Sequence, residues 1–173
     1  MKKANLVLSI VLTLIAIASR LLPHPPNFTA LGAGALFGGA KIARPYNYLL
    51  VLFSLFVTDI FLGFHSTMPF VYAAFILSVA LGEIMPKKYS VKKTATYALI
   101  SSTAFFIITN LGVWLVGGIY ERSVAGLVTC FVMAIPFYGL TLLGDMLYSL
   151  GLFSAYAYQS EKIYKLEVAN EQR

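Results

Sequence analysis

Long apolar runs separated by short polar segments are the main feature of this chain. Four of them approach the roughly 20 residues with which an apolar helix crosses a hydrocarbon core about 30 Å thick. These four runs cover about 4–22, 46–64, 70–85 and 94–114. A shorter, glycine-rich run covers 30–43, and a last, longer run covers Ser123–Tyr158. The pattern predicts an all-α membrane protein, a bundle of six transmembrane helices.

The last run predicts a broken segment before the final helix. It has 36 residues, which as one helix would be about 54 Å long, far more than a membrane requires. Pro136 lies inside it and favours a break, because proline removes a helical hydrogen bond. We expect a segment at Ser123–Ile135 that does not complete a crossing, then a true span at Leu140–Tyr158. Two full crossings are the alternative, and they would move the C-terminus to the other side.

The basic residues lie almost entirely on one side of the predicted membrane. Of the 13 Lys and Arg, only Arg20 and Arg122 fall on the other side. Cytoplasmic segments are enriched in Lys and Arg, so both termini are expected in the cytoplasm. The chain is then a multi-pass protein of the cytoplasmic (inner) membrane, with one transmembrane domain at 1–160 and a cytoplasmic tail at 161–173. The residues assigned to the cytoplasm are Lys2, Lys3, Lys41, Arg44, Lys87, Lys88, Lys92, Lys93, Lys162, Lys165 and Arg173.

Composition supports a membrane and argues against nucleic acid as a partner. The chain is 59% hydrophobic and 12% charged, about half the charged fraction of an average soluble domain. Its net charge of +6 is concentrated at the ends of the spans, which favours contact with a lipid bilayer. The first run also fits a signal peptide, because Ala16–Ala18 matches a cleavage site. Arg20 and the proline-rich loop after it favour a span instead.

Two features of the predicted spans concern packing. Gly34 and Gly38 are four residues apart, a spacing that lets helices approach closely in lipid. Packing inside the chain is the expected use, and docking of another subunit is the alternative. Glu83, near the cytoplasmic end of its span, is expected to pair with a lysine of the 87–93 segment or to reach water.

Two carboxylates inside spans are the strongest candidates for a binding site. A charge at mid-bilayer costs about 3 kcal/mol on insertion scales, so Asp59 and Asp145 must face a cavity, the bundle interior or a partner. A polar pocket open to the outside is one interpretation, and a structural polar contact between helices is the other. Further polar and aromatic residues are expected at the same level. With the two acids they form the predicted substrate-binding set: Asn27, Asp59, His65, Asn110, Trp114, Asp145 and Tyr148.

Metal and enzyme chemistry are weakly indicated. His24 and His65 are the only histidines, and two imidazoles without a clear third ligand favour loop hydrogen bonds over a metal site. The sequence lacks a Gly-x-Ser-x-Gly elbow, a His-Glu-x-x-His pair and a P-loop. Intramembrane proteolysis by two aspartates is the remaining enzyme idea, but the residues around Asp59 and Asp145 do not match it. We therefore expect no enzyme, no metal and no cofactor.

Four short stretches, taken in order, resemble a known family. They are Pro26-Asn27-Phe28-Thr29 leading to Gly38-Gly39-Ala40, Pro69-Phe70-Val71-Tyr72, Asn110-Leu111-Gly112-Val113-Trp114, and Pro136-Phe137 with Leu143-Gly144-Asp145. Their order and spacing resemble the S components of energy-coupling-factor vitamin transporters, the substrate-binding membrane subunits, especially the biotin-type branch. Within that group, the chain is most similar to an uncharacterised bacterial family of transport proteins with a His-Pro-Pro-Asn-Phe-Thr loop.

The resemblance implies a six-helix subunit that binds a small micronutrient, a vitamin, precursor or related ring compound, in an outward-facing pocket. It also implies docking on a transmembrane coupling subunit driven by ATPases. The Ala-x-x-x-Ala signature of the first helix is unclear here, because Arg20 stands four positions after Ala16. The basic residue that such proteins often have shortly after the Gly-Asp pair is absent here, where Met146, Leu147 and Tyr148 follow Gly144-Asp145. A neutral or cationic ring compound is therefore expected rather than biotin, whose carboxylate would need a cation. A structural or assembly protein without a small ligand is the alternative function, and a channel or secondary transporter would need an oligomer.

Overall fold

Helices account for all the regular structure in the computed structural model, which describes residues 3–23 and 25–171. Over these residues the chain forms no strand. A one-turn 3-10 helix, Ser19–Leu21, extends the first α-helix. The α-helices are α1 (Lys3–Ala18), α2 (Leu31–Lys41), α3 (Tyr46–Leu62), α4 (Met68–Glu83), α5 (Val91–Val116) and α6 (Val124–Glu171). The prediction of an all-helical protein is confirmed.

The two ends of the bundle differ in their loops. The segments 22–30, 63–67 and 117–123 connect helices at the end that we call the cavity end. The segments 42–45 and 84–90, which lie near several lysines, connect helices at the end that we call the lysine end. Gly63 allows the sharp turn from α3 toward α4, since its φ of 93° is unfavourable for residues with a Cβ.

The short helix α2 lies at the centre of the bundle. Glycines let its neighbours approach closely: a Cβ on Gly34 would overlap Ala16 of α1, and one on Gly39 would overlap the Val79 carbonyl of α4. In the same way, a Cβ on Gly82 of α4 would overlap the Leu36 carbonyl of α2. The small residues are therefore used for packing inside the chain, as expected.

The predicted break at Pro136 is wrong. Helix α6 continues through Pro136 as one element of 48 residues, about 72 Å long. An apolar segment retains helix because its backbone groups have few other partners in a low-dielectric environment, and neighbouring helices help to tolerate the proline. Tyr138, just after the proline, shares a 2.8 Å hydrogen bond with Thr103 of α5. The helix also continues into the predicted tail, as far as Glu171, while Lys2 and Arg173 lie outside the described residues.

Two described helices are long and apolar enough to cross a membrane by length and composition. They are α5 and the Val124–Leu166 part of α6. Three shorter apolar helical stretches cover Asn5–Leu21, Tyr46–Leu62 and Met68–Glu83. Helix α2, with 11 residues, is only about 17 Å long. Helix lengths thus support two membrane-spanning candidates, fewer than the six crossings predicted from hydropathy.

A polar cluster fastens α3 to α4 at the lysine end. Glu83 forms a two-pronged ion pair with Arg44 and accepts hydrogen bonds from Asn47 Nδ2 at 2.8 Å and Tyr48 OH at 3.1 Å. The expected pairing of Glu83 with a lysine of the 87–93 segment is wrong, because Arg44 offers a planar fork that matches a carboxylate. The hydrogen bonds that the Arg44 guanidinium donates to Glu83 raise the pKa of Arg44 above its usual range.

Candidate functional site

A cavity of about 330 Å³ lies at the cavity end of the bundle. Its volume falls in the range of small-molecule sites. The helices α2, α3, α4, α5 and α6 contribute to its lining, together with the 3-10 helix and two loops. Its polar lining residues are Arg20, Asn27, Thr29, His65, Ser78, Ser101, Thr141 and Asp145.

A second cavity of about 250 Å³ adjoins the first. The two share four lining residues: Asn27, Val71, Phe105 and Thr141. The second cavity is lined by aromatic and apolar side chains, among them Phe106, Phe137 and Tyr138, and by uncharged polar side chains such as Thr109 and Asn110. A cavity lined in part by the charged residues Arg20 and Asp145 thus stands beside one whose described lining has no charged residue.

Asp145 lines the first cavity and also caps α2. Its side chain is only 5% exposed and accepts a 2.6 Å hydrogen bond from Ser102 Oγ. The backbone N–H of Ala33, in the first turn of α2, donates to the same carboxylate. A Cβ on Gly32 would overlap the carboxylate. The missing side chain of Gly32 therefore lets Asp145 satisfy a helix N-terminus, where N–H groups lack intrahelical partners.

Asp59 is committed to an ion pair outside both cavities. It is 1% exposed, and its Oδ1 lies 2.5 Å from Arg20 Nη1. Tyr72 OH donates a 2.8 Å hydrogen bond to Oδ2, and Arg20 donates one of 2.9 Å to Thr58 Oγ1. The charge of Asp59 is therefore balanced by Arg20, which itself reaches the first cavity.

Arg20 is the important residue that sequence reasoning missed. The charge pattern uses Arg20 only to mark the outer side, although Arg20 ends an apolar run at the same predicted level as Asp59. A carboxylate inside a membrane span needs a partner. For Asp59 that partner is Arg20, the cation whose Nη1 lies 2.5 Å from its Oδ1. That requirement was the signal that could have found it.

Three other predicted site residues lie at the cavities. Asn27 lines both, with a φ of 60° that asparagine tolerates better than most residues. His65 lines the first cavity, and its Nδ1 shares a 2.8 Å hydrogen bond with Thr67 Oγ1. Asn110 lines the second cavity while donating a 2.7 Å hydrogen bond to the Phe106 carbonyl.

Trp114 and Tyr148 point elsewhere. Trp114 Nε1 donates a 3.0 Å hydrogen bond to the Glu121 carbonyl in the α5–α6 loop. The ring of Tyr148 packs on Phe28, with centroids 5.6 Å apart. Neither residue lines the two cavities. Of the predicted set, Asn27, His65 and Asp145 therefore line the first cavity together.

The first cavity offers hydrogen-bonding groups and the carboxylate of Asp145, which accepts from the Ser102 hydroxyl and the Ala33 N–H in the described part of the chain. Ser101 Oγ donates to Ser78 Oγ at 2.8 Å, and both residues line the cavity. Among residues 3–23 and 25–171, no group of three or more His, Cys, Asp or Glu is arranged to hold a metal ion. His24, the other half of the conceivable histidine pair, lies outside the described residues. The arrangement suits binding of a small polar molecule.

Fold and site together define an all-helical bundle with a buried carboxylate at a small-molecule-sized cavity. The chain belongs to the DUF6580 family, a family of unknown function, whose model matches residues 1–167. Comparison with curated proteins and with solved structures gives no match. The family assignment therefore carries no activity with it, and the geometry of the site is the basis for a function.

Proposed function

We propose that this protein is an integral substrate-binding subunit of the inner (cytoplasmic) membrane that captures a small micronutrient for uptake. The observation that carries the proposal is the cavity of about 330 Å³ with Asp145 buried in its wall. Intramembrane ionisable residues are rare, and those that face a cavity mark substrate pathways. No catalytic step is part of the proposal.

The surface of the bundle supports residence in a lipid bilayer with six crossings. Large apolar side chains are exposed on α3 and α6, including Phe61 at 74% and Val124 at 79%. Such surface on a soluble monomer would favour association, whereas lipid accommodates it. The lysines gather at the end opposite the cavity, so the cavity opens outward if that end is cytoplasmic. Both termini are then cytoplasmic.

The resemblance to S components extends the proposal to a partner. In such a system a transmembrane coupling subunit with ATPases would release the substrate into the cytoplasm. The Gly34–Gly38 face is already occupied by α1 of this chain, so the coupling subunit would bind another face.

A structural or assembly role is the second candidate, and one observation favours it. Asp59 and Asp145 are each hydrogen-bonded to a hydroxyl, from Tyr72 and Ser102, as expected of acids that hold helices together. A purely structural role would leave the space beside Asp145 filled by side chains. The open cavity favours substrate binding.

Filling the boundary between the two cavities should abolish ligand retention. Thr141 lines both, and Thr141→Trp adds a bulky ring there. Wild-type protein purified in a mild detergent should release a small molecule on denaturation. Thr141→Trp should release at most about a tenth as much, because the tryptophan ring occupies the ligand's space and lowers its binding free energy by more than about 1.4 kcal/mol, which corresponds to a tenfold loss of affinity. Mass spectrometry of the released compounds measures this.

Thr129→Trp is the matched control. Thr129 lies on the same helix, is exposed, and makes the same hydroxyl bond to a carbonyl four residues earlier as Thr141 does. It should retain the ligand at the wild-type level. Equal ligand content in the wild type and in Thr141→Trp, with both folded, would contradict the proposed site.

Cysteine labelling tests the orientation. In a Cys130→Ala background, Ser66→Cys at the cavity end and Lys88→Cys at the lysine end are both exposed. A membrane-impermeant maleimide added to intact cells should label Ser66→Cys and not Lys88→Cys, because charged reagents do not cross the bilayer. Both should react after the cells are broken. Labelling of Lys88→Cys in intact cells would reverse the topology.

A further inference from the structure

We infer that the ligand is an elongated amphipathic cation, with one protonated nitrogen at Asp145 and an apolar or aromatic body in the adjoining cavity. This inference rests on the proposed function and specifies its substrate class. It comes from two separate features of the site: the balance of charge around Asp145, and the aromatic lining without charged residues that the described part of the second cavity shows.

The charge balance favours a cation. Among residues 3–23 and 25–171, the donors to the buried Asp145 are the Ser102 hydroxyl and the Ala33 N–H of the α2 N-terminus, neither of which carries a full positive charge. Arg20 lines the same cavity, but its guanidinium is 2.5 Å from Asp59 and so already has a counter-charge. His65, the other basic residue of the lining, is tied to Thr67. A buried carboxylate is stabilised by an opposite charge, and a ligand that enters the cavity can supply it.

Three hydroxyl groups that line the same cavity as Asp145 suit the charged end of the ligand. Ser78, Ser101 and Thr141 line the first cavity and can accept hydrogen bonds from a protonated amine. An ammonium group has three donors and no acceptor, so one carboxylate with hydroxyl oxygens around it satisfies it fully. A ligand carboxylate would instead meet Asp145 as a like charge.

The second cavity suits an apolar body. Phe106 lies at the centre of an aromatic cluster, with ring centroids 4.8 Å from Tyr138 and 5.4 Å from Phe131. Phe105 lines both cavities, and its ring centroid lies 5.1 Å from that of Phe75. Aromatic rings prefer tilted or edge-on neighbours at these distances. A ligand ring placed here would leave its charged end within the first cavity.

Matched probes of opposite charge test the inference. 4-Phenylbutylamine and 4-phenylbutyrate have the same ring and chain length, and butylamine lacks the ring. Equilibrium dialysis against the protein in nanodiscs measures binding, and Thr141→Trp nanodiscs provide the background from lipid partition. The amine should bind at least tenfold more tightly than the carboxylate, because it gains a charge-assisted hydrogen bond. Butylamine should bind more weakly than 4-phenylbutylamine.

The variant Asp145→Asn removes the charge and keeps hydrogen-bonding atoms for Ser102 and Ala33. It should bind 4-phenylbutylamine about tenfold to a hundredfold more weakly than the wild type does. Its affinity for 4-phenylbutyrate should be no lower than that of the wild type. If this variant does not fold, the preference of the wild type between the two probes still decides the question.

The outcomes separate the inference from the proposed function. Two outcomes would overturn the inference of a cationic ligand and leave the proposed binding site in place. One is tighter binding of 4-phenylbutyrate than of 4-phenylbutylamine. The other is equal binding of both probes to the wild type, with loss of that binding in Thr141→Trp. Absence of specific binding by either probe would also overturn it, and the released compounds found by mass spectrometry would then decide the proposed function independently.

Discussion

Replacing Gly82 with alanine is expected to lower the free energy of unfolding by about 3 kcal/mol, at the upper end of overpacking costs. A Cβ at Gly82 would overlap the carbonyl oxygen of Leu36 and lie 2.9 Å from the Ala40 nitrogen. Both atoms belong to the backbone of α2, so no side chain can rotate away. The helices α2 and α4 would have to separate, which would also disturb the reciprocal contact of Gly39 with Val79.

The buried Cys130 provides the measurement. It is 1% exposed and is the only cysteine in the chain, so a thiol-reactive dye reports unfolding directly. A loss of 3 kcal/mol corresponds to a decrease of roughly 6–12 °C in the unfolding midpoint of a domain this size. An unchanged midpoint would contradict the close approach of α2 and α4.

Gly139→Ala is the matched control for this change. Gly139 lies in α6, and nothing stands within 4 Å of the position of its missing Cβ. Alanine is favoured over glycine inside a helix by about 1 kcal/mol, so this variant should be as stable as the wild type or slightly more stable. A similar loss in both variants would point to a general intolerance of alanine for glycine rather than to the α2–α4 contact.

Hydropathy predicted the positions of the helices because the solvent preference of each segment is a local property. The predicted runs 46–64 and 70–85 correspond to α3 and α4 within about two residues at each end. The continuity of α6 could not be predicted in the same way. The cost of Pro136 is local, but it is offset by contacts such as Tyr138 with Thr103, which exist only once α5 and α6 pack together.

The sequence predicted only part of the candidate site. The position of a residue along its helix can be estimated from the sequence, whereas the side of the helix that faces the cavity depends on packing. Asp145 was identified from its position inside an apolar run, and it does line the cavity. Trp114 was placed at the same level, but it lies one helical turn beyond Asn110 and bonds to the α5–α6 loop instead. The capping of α2 by Asp145 depends on Gly32 and Ser102, which are distant from it in sequence.

Removing Arg20 should have the other large effect, because it leaves Asp59 buried without its counter-charge. Breaking a buried ion pair by deleting one partner costs about 3–5 kcal/mol, and Asp59 is 1% exposed. The expected result for Arg20→Met is therefore a marked decrease in the unfolding midpoint followed through Cys130. Methionine keeps much of the apolar length of the arginine side chain, so lost packing contributes little.

A second substitution identifies the cause of this loss. In the double variant Arg20→Met with Asp59→Asn, the buried charge is gone and Tyr72 can still donate to the new amide oxygen. Most of the lost stability should return, a coupling of about 2 kcal/mol or more between the two sites. Arg122→Met is the matched control, since Arg122 is exposed and its Nη2 donates a 2.7 Å hydrogen bond to the Leu115 carbonyl. This variant should change stability by less than about 0.5 kcal/mol. If the double variant were no more stable than Arg20→Met, Arg20 would act through packing or other contacts, and Asp59 would not require it as a counter-charge.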